Sequence, residues 1–242
     1  MTAYRIGCAG WTIPKPHTAE FPIEGSHLER YAARLSAVEI NSSFYRPHQP
    51  VTYARWAASV PDDFRFSAKI PKAITHDQRL VAADVMLNVF SSEVTCLGPK
   101  LGCLLVQLPP SLTYDRRVVE AFWRDLRAQY TGPVVVEPRH PSWFTPAVSA
   151  RLSAHRVGQV AADPACVPAA AEPAGWPELV YVRLHGSPDT YYSTYDEVYL
   201  DRLAHRLRKL AAAATEIWCI FDNTARFAAT PNALGLIARL DD

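Results

Sequence analysis

The sequence predicts an α/β protein built as a single (β/α)8 TIM barrel across residues 1–242, and three observations carry that expectation. Apolar runs of strand length alternate with stretches of helical period from one end of the chain to the other, the pattern of repeated βα units. Several runs are almost continuous in Val, Ile, Leu and Cys, as expected of strands in a parallel sheet covered on both faces. About eight such runs recur at roughly thirty-residue intervals, which suits a closed barrel. An open doubly wound sheet is the alternative. It calls for a glycine-rich phosphate loop after the first strand, and Gly7-Cys8-Ala9-Gly10 lacks both the third glycine and a following helix.

In chain order the strands are expected at residues 4–8, 37–40, 64–68, 102–108, 133–136, 157–162, 179–184 and 217–221. The helices between them have recognisable starts. Ser26 followed by Glu29 forms a capping box ahead of Leu28, Tyr31 and Leu35. Thr145-Pro146 and Thr230-Pro231 each place a cap residue before a proline at the first helical position. Val119, Phe122, Trp123 and Leu126 make an apolar stripe over 115–129, and Tyr199, Leu203, Leu207 and Leu210 do the same over 196–214. In 163–177, Pro164, Pro168, Pro173 and Pro177 interrupt an alanine-rich stretch, so a loop or broken helix is expected there. No linker or internal repeat beyond the βα alternation divides the chain.

Composition narrows the function. With 25 Lys and Arg against 24 Asp and Glu, the formal charge of +1 gives no global field to attract a polyanion, so any charge that matters is local. The five cysteines are odd in number and lack C-x-x-C spacing, which predicts reduced thiols acting as small core hydrophobes; Cys8 alone lies near a strand end. The N-terminal residues show no signal-peptide pattern, and no apolar run approaches the roughly 20 residues of a membrane span. A cytoplasmic protein without membrane attachment is expected. Nothing in the pattern sets an oligomeric state.

Polar residues gather where the apolar strand runs stop, and in a barrel those positions face one mouth. They are Trp11 after the first strand, Glu39, Asn41 and Phe44-Tyr45-Arg46 after the second, and Lys69 with His76 after the third. Gln107 follows the fourth, Glu137 and Arg139-His140 the fifth, Asp163 the sixth, Arg183 and His185 the seventh, and Asp222-Asn223 the eighth. A charge at the end of a buried strand is costly unless paired or hydrated, so the set reads either as ion pairs closing the rim or as a ligand site. Glu39, Lys69, Glu137, Asp163 and His185 are the catalytic candidates. Trp11, Asn41, Tyr45, His76, Gln107, Arg139, His140, Trp143, Arg183, Tyr192, Asp222 and Asn223 are the substrate-binding candidates. Trp56, Trp123 and Trp218 are expected between helices and barrel, and Trp11 and Trp143 as pocket walls. Tyr191, Tyr192 and Tyr195 form a lid or pack over the barrel top. Residues 205–209 read as a solvated helix face.

Over nearly its whole length the chain resembles the YecE-like family, domain of unknown function 72. The likeness rests on Gly7-Cys8-Ala9-Gly10-Trp11, Val38-Glu39-Ile40-Asn41-Ser42-Ser43-Phe44-Tyr45, Phe66-Ser67-Ala68-Lys69 and Ile74-Thr75-His76. It continues through Gln107-Leu108-Pro109-Pro110, Val136-Glu137-Pro138-Arg139-His140-Pro141-Ser142-Trp143, Tyr181-Val182-Arg183-Leu184-His185-Gly186, and Phe221-Asp222-Asn223 ahead of Pro231-Asn232-Ala233. The resemblance implies a TIM barrel and little about the reaction. Two departures stand out: Asp222-Asn223 where the family usually has paired asparagines, and Pro138 where it usually has phenylalanine or an equivalent. The first adds a carboxylate to the mouth.

Three functions follow from the residues. The first is an enzyme, hydrolase or lyase, acting on a small anionic or phosphorylated substrate: Lys69, Arg139 and Arg183 clamp the anion, and Glu39, Glu137, Asp163 or His185 move protons. The second resembles the apurinic endonucleases. No cofactor is predicted, but a divalent metal on Glu137, Asp163 and His185, with Asp222, is the option for phosphoester hydrolysis. The third is a binding module that holds nucleic acid or a partner protein at the aromatic and basic rim, with Phe44, Tyr45, Arg46 and Trp143 to stack on bases; the near-neutral charge disfavours it.

Overall fold

In the computed structural model, residues 2–241 are described. One sheet runs in the order β7-β9-β10-β1-β2-β3-β4-β5-β6-β8. Its segments are β1 (Ala3–Ala9), β2 (Ala37–Ile40), β3 (Arg65–Lys69), β4 (Leu101–Gln107), β5 (Val134–Glu137), β6 (Val157–Gln159), β7 (Ala161–Asp163), β8 (Ala174–Gly175), β9 (Leu179–Leu184) and β10 (Glu216–Phe221). The helices are α1 (His27–Ala32), α2 (Pro50–Ala58), α3 (Asp84–Val94), α4 (Arg116–Gln129), α5 (Pro146–Ala154), α6 (Glu197–Leu210) and α7 (Ala229–Asp241).

Ten strand segments stand where eight were expected, and the difference has a simple cause. The expected sixth strand is split: its first half pairs in parallel with β5, and its second half, β7, pairs in parallel with β9. Strands in a barrel are staggered, so a short strand bonds its two neighbours over different halves of its length. β8 is a two-residue antiparallel appendage on β6. The remaining pairings are parallel from β9 through β10 and β1 to β6, giving a nearly closed barrel. At the closure, a Cβ on Gly158 would lie 2.9 Å from the Leu179 carbonyl oxygen, so glycine lets the two strands approach.

The sixth unit has no α-helix. Only a 3-10 turn, Pro168–Ala171, and β8 fill the proline-rich connection. Elsewhere Ser26 and Glu29 close the expected capping box and Thr145 accepts from the amide of Val148, while Asp115 also caps α4, accepting from the amides of Arg117 and Val118. Thr230 is different. α7 begins at Ala229, so Thr230 lies inside the helix and its hydroxyl donates to the Thr12 carbonyl.

The core has two compartments. Outside the strands, the wall packs against the helices through residues such as Ile6, Val38, Phe66, Leu104, Leu126 and Leu207. Inside lies a smaller plug of Ala37, Cys103, Leu105, Val135, Val160, Leu179, Tyr181, Trp218 and Ile220. Trp218 therefore fills the barrel interior and not the space under the helices. It stacks on Tyr181 at 5.8 Å and occupies the room left by Gly102, where a Cβ would fall 2.3 Å from the indole. Of the cysteines, Cys8, Cys103 and Cys219 are buried, while Cys96 and Cys166 are exposed and so are not core residues. All five are unpaired thiols. Among the described residues no helix is long and apolar enough to cross a membrane.

Candidate active site

Side chains alternate across a strand with period two. Continuing the inward phase of Ala37, Ser67, Leu105, Val135, Tyr181 and Ile220 by two residues gives Glu39, Lys69, Gln107, Glu137, Arg183 and Asp222. These six are buried above the apolar plug. Two residues further on, Arg139 and His185 join them.

Arg183 is the centre of the group, at 1% exposure. Its Nη2 and Nε donate to the two oxygens of Glu39 at 2.7 and 3.0 Å, and its Nη1 donates to Glu137 Oε2 at 3.1 Å. Asp222 Oδ2 lies 3.1 Å from Nη2. His185 bridges the remaining carboxylates, Nε2 to Glu137 Oε1 and Nδ1 to Asp222 Oδ2, both at 2.9 Å. Arg139 donates to Glu137 Oε1 through Nε and Nη2 at 3.1 and 3.0 Å. Tyr181 links plug to network, donating to Glu39 Oε2 at 2.9 Å while meeting the Ser67 hydroxyl at 2.9 Å.

Lys69 stands apart from these pairs. It is 5% exposed, and among the described residues its ammonium has no hydrogen-bond or ion-pair partner. Its Nζ sits 4.0 Å from the Phe44 ring centroid, a cation–π contact. Burial and the Arg183 charge push its pKa down to about 8, against the partial support of Glu39, Glu137 and Asp222. For Glu137, burial favours the neutral acid, but Arg183, His185 and Arg139 outweigh it and hold the carboxyl well below its usual range. Asp222 is lowered too, with burial opposed by Arg183 and His185. His185 is raised: burial disfavours its charge, and Glu137 with the Asp222 hydrogen bond overcomes that. Three acidic side chains thus face four basic ones, Arg183, Arg139, Lys69 and His185, whose two ring nitrogens both lie on carboxylate oxygens.

Strand phase and local packing together account for the candidates that fall elsewhere. Asp163 is paired in register with Leu184 and points outward, where Oδ2 accepts from Tyr199 of α6 at 2.6 Å. It is outside the mouth, both as a proton carrier and as a metal ligand. His140 caps the turn Pro141–Trp143 through Ser142. Asn223 donates to the Ser193 carbonyl and to Asn232, tying the end of β10 to the loop after β9 and to α7. Trp143 is buried, donating to the Leu112 carbonyl and meeting Tyr114 edge-on, so it neither walls the mouth nor offers a face to a base. Trp11 packs against Trp56 at 5.0 Å. With Asn41 it lines a separate hollow of about 340 Å³, reached because Gly10 turns the chain at φ 104°. Tyr45 is 75% exposed and leans on the far side of Phe44. His76 also meets Phe44 edge-on at 5.0 Å, at the border of the mouth, where burial and then Lys69 lower its pKa. Tyr192 is exposed beside Arg226; its neighbour Tyr191 is the one that faces His185, ring to ring at 5.9 Å, from a backbone with φ 72°. Cys8 lies in the outer wall, and burial pushes its thiol up to about 12, which removes it as a nucleophile.

A cleft of about 500 Å³ opens on the other side of Phe44, between residues 43–47, 71–77 and the Val85, Met86, Val89 and Phe90 face of α3. Its lining includes none of the charged network. Divalent metal fits this mouth poorly: among the described residues no group of three or more His, Cys, Asp or Glu is placed to hold an ion. Both His185 nitrogens are engaged, and the carboxylates are occupied by guanidinium groups.

Sequence reasoning overlooked Tyr181 and Ser67. Each lies two residues before a charged member, Arg183 and Lys69, so stepping back along the alternation finds both.

A family model described as "Protein of unknown function DUF72" matches residues 5–242. The chain belongs to the DUF72 family. Relatives named UPF0759 protein YecE in two Escherichia coli strains, K12 and O157:H7, are 32% identical over 142 residues, covering 57% of this chain and 49% of theirs. The chain thus matches about half the length of those curated relatives. Among solved structures, a DUF72 protein of Enterococcus faecalis V583 superposes with a TM-score of 0.84 at 22% identity, covering 99% of this chain and 96% of that one. A DUF72 protein of Thermotoga maritima gives 0.81 at 23% identity, with 99% of each chain covered. At these identities the likeness is one of fold, and it agrees with the barrel described for this DUF72 chain.

Proposed function

We propose that the barrel mouth is an enzyme site that binds a small anionic or phosphorylated substrate and transfers protons on it. The observation that carries this reading is Lys69, a largely buried cation with no counter-ion among the described residues while Arg139 and Arg183 beside it each have one. A buried ammonium without a partner is costly, and a ligand carboxylate or phosphate supplies what it lacks. Arg139 is the second contact. Its side chain is 27% exposed at the edge of the mouth, and it can turn one face of its fork to a ligand while keeping Glu137 with the other. Gln107 adds a neutral amide at the same level. His185 and Glu137 share a proton across 2.9 Å and form the acid and base pair, with Asp222 orienting the imidazole. Glu39 and Arg183 hold the others in place.

The test is a thermal-shift screen of phosphorylated and carboxylated metabolites against the chain and its Arg139→Gln variant. Stabilisation by members of one anion class, weakened about tenfold in affinity by Arg139→Gln, is expected. A flat response across the panel removes this reading.

A further inference from the structure

We infer that Lys69 is a covalent site: its Nζ forms an imine with the carbonyl group of an anionic aldehyde or ketone held in the mouth. This rests on the anion-binding reading above and adds to it a reaction and a substrate class.

An amine nucleophile must lose a proton, and an enzyme arranges this by withholding water and counter-ions while placing another cation nearby. Lys69 meets each condition. It is buried, its ammonium sits against the Phe44 ring, and Arg183 lies close enough to depress its protonation. The carboxylates that would keep it charged are already spent, Glu39 and Glu137 through both oxygens and Asp222 through Oδ2. With a pKa of about 8, about a tenth of the side chain is free amine at pH 7, against about three in ten thousand for an ordinary lysine.

The chain's other lysines lack this setting. Lys72 is exposed and paired with Asp77, Lys100 donates to the carbonyls of Ala57 and Val60, and Lys15 and Lys209 are exposed.

The chemistry balances without an external oxidant or reductant. The Nζ lone pair adds to the carbonyl carbon, the C=O π pair passes to oxygen, and one Nζ proton moves to that oxygen to give a carbinolamine. Water then leaves: the C–O bond breaks, solvent supplies one proton to the departing hydroxyl, and the nitrogen lone pair closes the C=N bond. An amine, a carbonyl and a proton become a protonated imine and water. The substrate anion stays beside Arg139, so the class is carbonyl compounds that also carry a carboxylate or phosphate.

Glyoxylate is the probe, with glycolate as its carbonyl-free counterpart. The full chain is incubated with glyoxylate at pH 7 and reduced with cyanoborohydride, and the adduct is mapped over its five lysines, Lys15, Lys69, Lys72, Lys100 and Lys209. Lys69 is expected to carry at least about tenfold more adduct than Lys72, to be protected by excess glycolate, and to yield none at this position in Lys69→Arg. Labelling that follows exposure, strongest at Lys15, Lys72 and Lys209, overturns the proposal. If glycolate raises the melting temperature but Lys69 stays unmodified, the imine is wrong and anion binding stands. If glycolate, glyoxylate and phosphate all leave the melting temperature unmoved and Lys69 unlabelled, both readings fall.

Discussion

The barrel carries ion pairs at both ends, and the two ends are built differently. At the N-terminal end, Arg5 of β1 meets Glu216 of β10 at 2.7 Å and donates to the Asp63 carbonyl, while Arg65 donates to the carbonyls of Asp62 and Phe64. These groups are partly open to water, the Arg5 and Glu216 side chains being 15% and 22% exposed, and each arginine has its acceptors. At the C-terminal end the network is buried, crosses from β2 to β10, and contains one more basic side chain than acidic. A wet pair closes a rim at little gain or loss, whereas a dry cluster with an unmatched charge is unstable unless function retains it.

The sharpest way to break that contrast is to remove the central cation at each end. Arg183→Met leaves both Glu39 oxygens without their guanidinium partner and takes a hydrogen bond from Glu137, both buried, and is expected to cost about 3–5 kcal/mol. Arg5→Met is expected to cost about 1 kcal/mol or less. Urea unfolding of both variants reads the difference.

Lys69→Met sharpens the comparison in the opposite direction. A lysine whose folded pKa is depressed to about 8 disfavours the folded state wherever it must stay charged. Its removal is therefore expected to stabilise the chain by roughly 3 kcal/mol at pH 7 while abolishing any anion-induced thermal shift. A destabilised variant that still responds to anions would show Lys69 to be an ordinary rim residue.

The network's pH response has two signs. His185 has a raised folded pKa, so its contribution is complete below the unfolded value near 6.5 and is lost as pH rises through the folded one. Lys69 acts the other way: between about 8 and the ordinary lysine value the unfolded chain binds the extra proton, and stability recovers. Denaturant midpoints from pH 5 to 10 are expected to fall and then rise, and His185→Gln should remove the fall alone.

The smallest effect is reserved for Asp163, which lies outside the wall. Asp163→Asn weakens one hydrogen bond to Tyr199, costs about 1 kcal/mol, and is expected to leave ligand binding unchanged in titration calorimetry.

How much of this was legible in the sequence follows from strand alternation. The strand runs and their order are written in apolar runs and caps, so the barrel can be read before any coordinates. Membership of the mouth needs the phase of each strand as well. Glu39, Lys69, Gln107, Glu137, Arg139, Arg183, His185 and Asp222 share the inward phase; Asp163, His140 and Asn223 miss it by one residue, and a list of polar residues at strand ends cannot separate the two sets. Trp11 has the inward phase and is lost because Gly10 redirects the chain. The split of the sixth strand was hidden because it arises from stagger between neighbours, a property of the closed sheet and not of the segment itself. The lack of a counter-ion at Lys69 could not be read at all, since it depends on how three carboxylates distribute themselves among four basic side chains.

The most direct test is therefore to titrate the Lys69 side chain by NMR with lysine labelled at the ε-carbon, using Lys69→Met for assignment, with and without phosphate or glycolate. A midpoint near 8 that moves upward when either anion binds is expected. A midpoint at the ordinary lysine value, indifferent to anions, would contradict it.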